Sequence, residues 1–201
     1  MDNNHRIIHE IEDYLNNYME DIFNNTCKNI LKDWLVKKEE IQGELMQCFR
    51  KVWEKTVCLQ NDNQKGDIKY WLISIQRSSL LWNQIAFRVE TFDDGFFLDS
   101  AETAEEYLPE FLNKYWENDM KCLSDLLGKK FVRLQKYHYD VVRDIYSTYY
   151  YSIVYQLLKN KIEEILEEIC ISKERTYTDY KVIFGYYMGH GTILYEGKEK
   201  I

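Results

Sequence analysis

Between Phe131 and Ile169 the chain contains neither glycine nor proline, and apolar side chains recur through it at Phe131, Leu134, Val141, Val142, Ile145, Tyr149, Ile153, Leu157, Ile162, Ile165, Leu166 and Ile169. Spacings of three and four residues bring side chains to one face of an α-helix, and no glycine or proline interrupts the stretch. One continuous helix is expected from Phe131 to Ile169, serving as the spine of the fold.

A second helical ladder runs through Ile7, Ile11, Leu15, Ile22, Ile30, Trp34, Ile41, Leu45, Phe49 and Trp53. It weakens at Asn24-Asn25-Thr26, a cluster suited to capping a helix, and again from Lys37 to Gly43. At least one break is expected within this helical region, residues 1–58. The polar run Asn61 to Asp67 ends it, and the periodicity then changes to alternation of every second residue.

Ile68 to Arg77 and Gln84 to Phe92 read as strands, the first apolar on both faces and the second alternating. Asp94-Gly95 predicts a tight hairpin before Phe96-Phe97-Leu98, so residues 68–99 read as a β meander. Thr103-Ala104-Glu105-Glu106 matches a capping box, and the sole proline, Pro109, delays the regular helix until just after it; Gly128 is its expected end. Residues 103–171 thus hold two long helices, and residues 177–196 a β hairpin around Met188-Gly189-His190-Gly191. A single α+β domain over 1–201 follows: long amphipathic helices packed on a small antiparallel sheet.

A formal charge of −8 opposes general binding of a phosphate backbone. Five widely spaced cysteines, an odd number without a C-x-x-C pair, fit free thiols in a reducing compartment. The N-terminus lacks the pattern of a signal peptide and no apolar run is long enough for a membrane span, so residence in the cytoplasm and no membrane contact are expected.

Chemistry-bearing patterns are sparse. Gly185, Gly189 and Gly191 lack the Lys-Ser/Thr of a phosphate loop and fit a hairpin tip, with His190 as the histidine able to approach a ligand. His5, His9 and Asp13 share a helical face at metal-binding spacing, set against the simpler reading of a solvated terminus. Glu163, Glu164, Glu167 and Glu168 lie opposite Ile162, Ile165, Leu166 and Ile169 and read as a charged surface. Lys129, Lys130, Arg133 and Lys136 form the one local basic cluster, placed at the start of the long C-terminal helix, where cations oppose the helix dipole and call for neighbouring acids or a partner.

Tyr146, Tyr149, Tyr150, Tyr151 and Tyr155 surround that same helix, so they cannot all face one core. Either the sheet covers one side and helices the other, which is the simpler reading, or part of the stripe is an interface, with Tyr146 and Tyr150 as its candidates. No metal or cofactor is implied. Long helices, an acidic balance and the lack of a catalytic motif point to a non-catalytic binding or regulatory protein that acts by protein–protein interaction, of the acidic inhibitor or immunity type. The binding candidates are Lys129, Lys130, Arg133, Lys136, Tyr146, Tyr150 and His190. Two rivals stand beside it: a small-molecule sensor or enzyme with His138 and His190 in a pocket between sheet and helices, and a homo-oligomeric helical scaffold.

Overall fold

The computed structural model describes residues 3–169 and 175–197. In chain order these form α1 (Asn3–Asn61), β1 (Ile68–Ile75), β2 (Phe87–Phe92), β3 (Glu105–Tyr107), α2 (Glu110–Lys130), α3 (Lys136–Glu168), β4 (Thr176–Tyr186) and β5 (Gly191–Glu196), with short 3-10 turns at Arg77–Trp82 and Phe96–Leu98. The class is α+β. The chain divides into two compact units: unit 1 is Met1–Ile41, Arg77–Ile85 and Leu108–Ser152, and unit 2 is Gln42–Gln76, Ala86–Tyr107 and Ile153–Ile201.

Unit 2 holds the sheet, in the order β3-β2-β1-β4-β5. It is mixed, which corrects the expectation of a wholly antiparallel sheet. β1 pairs antiparallel with β2 (Ile73 opposite Val89) but parallel with β4 (Ile73 opposite Phe184). Parallel neighbours need a long crossover, and here the chain makes β2, β3, α2 and α3 before it returns. The central strand is buried on both faces as its composition predicts, and Trp71 stacks on Phe49 and Trp53 of α1 at 5.5 and 6.2 Å between ring centroids. The β4–β5 hairpin stands where the alternation placed it.

The tight hairpin at Asp94-Gly95 does not form. Gly95 has φ −69, an ordinary right-handed value, and its N–H bonds to Asp93 Oδ1 at 2.8 Å. The following residues make a 3-10 turn because Asp99 pulls the loop inward: it accepts the Asp93 and Ala101 N–H groups at 3.1 and 2.9 Å and pairs with Lys65, both side chains being shut off from solvent. β2 instead finds β3 as its second partner, Phe87 opposite Tyr107. Thr103 is correspondingly no helix cap. Its hydroxyl is buried against Thr91, whose own hydroxyl meets Thr56 at 2.7 Å, a chain of three satisfied threonines.

Unit 1 is helical. α2 begins directly after Pro109 as expected and continues two residues past Gly128. The spine starts later than its apolar ladder suggested: Phe131 is extended and caps α2 through its N–H to Leu127 O at 2.8 Å, Arg133 has φ 66, and α3 opens only at Lys136. In α1 the expected break lies at Lys37, whose φ −114 and ψ 21 leave the helical region, while Asn24-Asn25-Thr26 stays helical. Leu15 of α1, Trp116 and Leu123 of α2, and Val142 and Tyr146 of α3 are buried in this unit. No described helix is long and apolar enough to cross a membrane.

Candidate protein-docking face

The surface of unit 1 around Arg77–Trp82 is built by local hydrogen bonds that decide which side chains turn outward. Ser79 donates its hydroxyl to Gln84 O at 2.8 Å and accepts the Gln84 N–H on its own carbonyl at 3.1 Å. Asn83 takes φ 57, a left-handed value that asparagine tolerates, and closes onto Leu80 O. Asn113 of α2 then clamps the exit by accepting the Ile85 N–H at 2.7 Å and donating to Ile85 O at 3.0 Å. With Ser79 and Leu80 held inside, Leu81 and Trp82 are left outside, 57% and 81% exposed.

Beside them the early turns of α3 supply Asp140, Arg143 and Asp144, neighbours on the helix surface by their spacing of three and four. Arg77 grips Asp144 Oδ1 through Nη2 at 2.6 Å and Nε at 2.9 Å, and Arg143 holds Asp140 at 2.7 Å. Between the two pairs lies a cleft of about 390 Å³, floored by Leu80, Leu81 and Val141 and edged by Tyr137. The exposed Arg77–Asp144 pair adds little to stability, and the Arg143–Asp140 pair is half-buried. They fix the guanidiniums in place around an apolar floor.

The predicted basic cluster adjoins this cleft along the chain, through Lys136 to Tyr137. Lys129, Lys130, Arg133 and Lys136 are all exposed, and none makes an ion pair with the acids of a neighbouring helix among the described residues. Its position also differs from expectation. Lys129 and Lys130 occupy the last turn of α2, where cations complement the helix dipole; Arg133 lies in the joint and only Lys136 is at the start of α3. Lys130 sits over the Tyr14 ring, 5.8 Å from its centroid.

Tyr146 and Tyr150 are not surface residues. Both are fully buried, and both hydroxyls donate to Asp119 Oδ2 at 2.7 Å, while Thr26 donates to Asp119 Oδ1 at 2.7 Å. Burial, reinforced by the Asp119 charge, pushes both phenols well above the usual tyrosine value. Sequence reasoning missed Asp119, although a carboxylate between Trp116 and Leu123 on an apolar helical stripe was a visible signal. It also passed over Leu81 and Trp82, an apolar pair between Ser79 and Asn83 that neither a strand nor a helix claims.

The remaining candidates are dispersed. His138 is buried in unit 1, its Nδ1 accepting the Gln135 N–H at 2.8 Å, and His190 is exposed in the β4–β5 turn of unit 2. His9 pairs with Glu12 at 3.4 Å; the His5 side chain lies outside the described residues, as does Cys170. Glu163, Glu164, Glu167 and Glu168 are exposed, as their spacing implied. Among the described residues no three His, Cys, Asp or Glu side chains converge to hold a metal. No protein-family model, curated protein or solved structure matches the chain.

Proposed function

We propose that this chain is a non-catalytic binding or regulatory protein of the cytoplasm that acts by docking another protein on the face formed by the Arg77–Trp82 turn, the first turns of α3 and the basic α2–α3 joint. The observation that carries the reading is Trp82, a large apolar side chain standing in water beside an arginine-edged apolar cleft. Trp, Tyr and Arg are the residues on which binding energy concentrates at protein interfaces, and a rim of charges sets orientation and approach. The four cations, without ion-pair partners among the described residues, give the partner its chemistry: an apolar anchor flanked by acidic residues. The free thiols of Cys27, Cys48, Cys58 and Cys122 support the cytoplasmic part of the reading.

The test is native mass spectrometry of tagged protein recovered from its own cells, run on wild type, Trp82→Ala and a variant with Lys129, Lys130, Arg133 and Lys136 reversed to Glu. A bound second protein that is lost from Trp82→Ala and weakened by the charge reversal, with thermal stability unchanged, supports the reading. A partner retained by both variants overturns this face, and a mass twice that of one chain would replace the foreign partner by a second copy.

A further inference from the structure

The two outer strands of the sheet in unit 2 are protected to different degrees. β3 is three residues long, and its Glu105 is paired with Lys55 at 2.7 Å. β5 runs for six residues, Gly191–Glu196, contains neither proline nor lysine, and among the described residues has a neighbouring strand, β4, on one side only. An outer strand of this kind presents a row of N–H and C=O groups ready to pair with another extended chain.

A groove of about 500 Å³ follows the strand, lined by Glu163 of α3 together with Ile193, Leu194, Tyr195 and Glu196. Ile193 is about half exposed. Glu163 has no ion-pair partner among the described residues, and Glu196 meets only Lys181, at 3.0 Å on the surface. The outer strand, its apolar side chain and the carboxylates therefore border one groove.

Two features select the occupant. The register slips by one residue at Leu194, so the strand carries a bulge that twists its outer half and shortens the straight run available for pairing. That suits a short segment better than the full strand of a second copy. A second copy would also bring the same carboxylates and the same net charge of −8, whereas a cationic segment is drawn to them.

We propose that β5 and its groove take up a short extended segment of another protein that bears lysine or arginine, added as a sixth strand with an apolar side chain on Ile193 and a cation between Glu163 and Glu196. This is the strand-addition mode of recognition, in which main-chain hydrogen bonds supply affinity and alternate side chains supply selectivity. It is independent of the docking face on unit 1, since it uses other residues and opposite charge.

The probe is a fluorescein-labelled peptide of alternating lysine and valine, compared with the same peptide N-methylated at alternate backbone nitrogens and with a glutamate–valine analogue. The expected result is saturable binding by anisotropy with slowed amide exchange at Gly191, Thr192 and Ile193. Binding should fall about tenfold or more with the N-methylated peptide, with the glutamate analogue and with Glu163→Lys, a loss of about 1.4 kcal/mol or more. Trp82→Ala should leave it unchanged, which keeps this result separate from the test of the unit 1 face. Absence of saturable binding up to about 1 mM overturns the proposal, as does equal binding of the N-methylated peptide, which would mean a charge contact without strand addition. Self-association abolished by Ile193→Lys would also overturn it by making a second copy the occupant.

Discussion

Tyr150 reaches from the middle of α3 to Asp119 Oδ2 at 2.7 Å, and the oxygen it meets is the one that Tyr146, a turn earlier on the same helix, also bonds at 2.7 Å. One carboxylate oxygen thereby ties α3 to α2 twice, while its twin ties α2 to Thr26 of α1. Removing Asp119 leaves three buried hydroxyls without their acceptor. Asp119→Ala is expected to destabilise the protein by about 3 kcal/mol or more, measured from urea unfolding midpoints, since bonds to a charged group are worth about 1.5–3 kcal/mol each and are not additive. Loss of under 1 kcal/mol would show that the node is not a structural tie.

The same phenols set an alkaline limit. Each has a folded pKa raised above its unfolded value near 10, so above pH 10 the unfolded chain releases protons that the folded chain keeps. The unfolded state then binds fewer protons, and stability falls as pH rises. Each phenol contributes a slope of up to about 1.4 kcal/mol per pH unit. Urea midpoints between pH 9 and 11 should show this decline, shallower in Tyr150→Phe, and phenolate absorbance from the buried tyrosines should appear only on unfolding.

Lys65 and Asp99 make a pair with both side chains out of solvent. Breaking such a pair from one side leaves a buried charge uncompensated, so Lys65→Ala should cost about 3–5 kcal/mol. Asp99 also holds the Asp93 and Ala101 N–H groups, and proteolysis of the 93–101 loop should accelerate in the variant.

Thiol labelling should separate the cysteines. Cys48 is buried and its thiol is pushed up to about 12, chiefly by desolvation, whereas Cys58 and Cys122 are exposed. At pH 8 a disulfide reagent is expected to modify Cys58 and Cys122 in the native protein and Cys48 only on unfolding. Prompt native labelling of Cys48, read by peptide mass, contradicts its placement.

Trp82→Ala is expected to move the unfolding midpoint by no more than about 0.5 kcal/mol, as for an exposed site free of structural ties. The same substitution should weaken a docked partner about thirtyfold, the loss of about 2 kcal/mol typical of an interface anchor. A stability loss as large as the binding loss would mark Trp82 as structural.

What was legible in the residues was what depends on near neighbours. The strands β1 and β2, the long helices over most of both ladders, the β4–β5 hairpin and the start of α2 after Pro109 follow from local patterns, and each stands in the structure. The errors have distant causes. Asp94-Gly95 lost its hairpin because Lys65 draws Asp99 inward, and Thr103 lost its helix cap because Thr91 offers it a buried partner. Burial of β1 on both faces was legible, but its parallel pairing with β4 depends on a partner more than 100 residues away. At the docking face the basic residues were legible as charge, but Trp82 gained meaning only when Ser79, Asn83 and Asn113 fixed the turn that exposes it.

The parallel seam between Trp71 and Val182 has a consequence for synthesis. As the chain leaves the ribosome, β1 and β2 emerge long before β4 exists, so the strand destined for the middle of the sheet spends that interval with one flank bare. Such flanks are where nascent chains cling to one another. For this protein, the moment of greatest risk ends only when the final hairpin arrives.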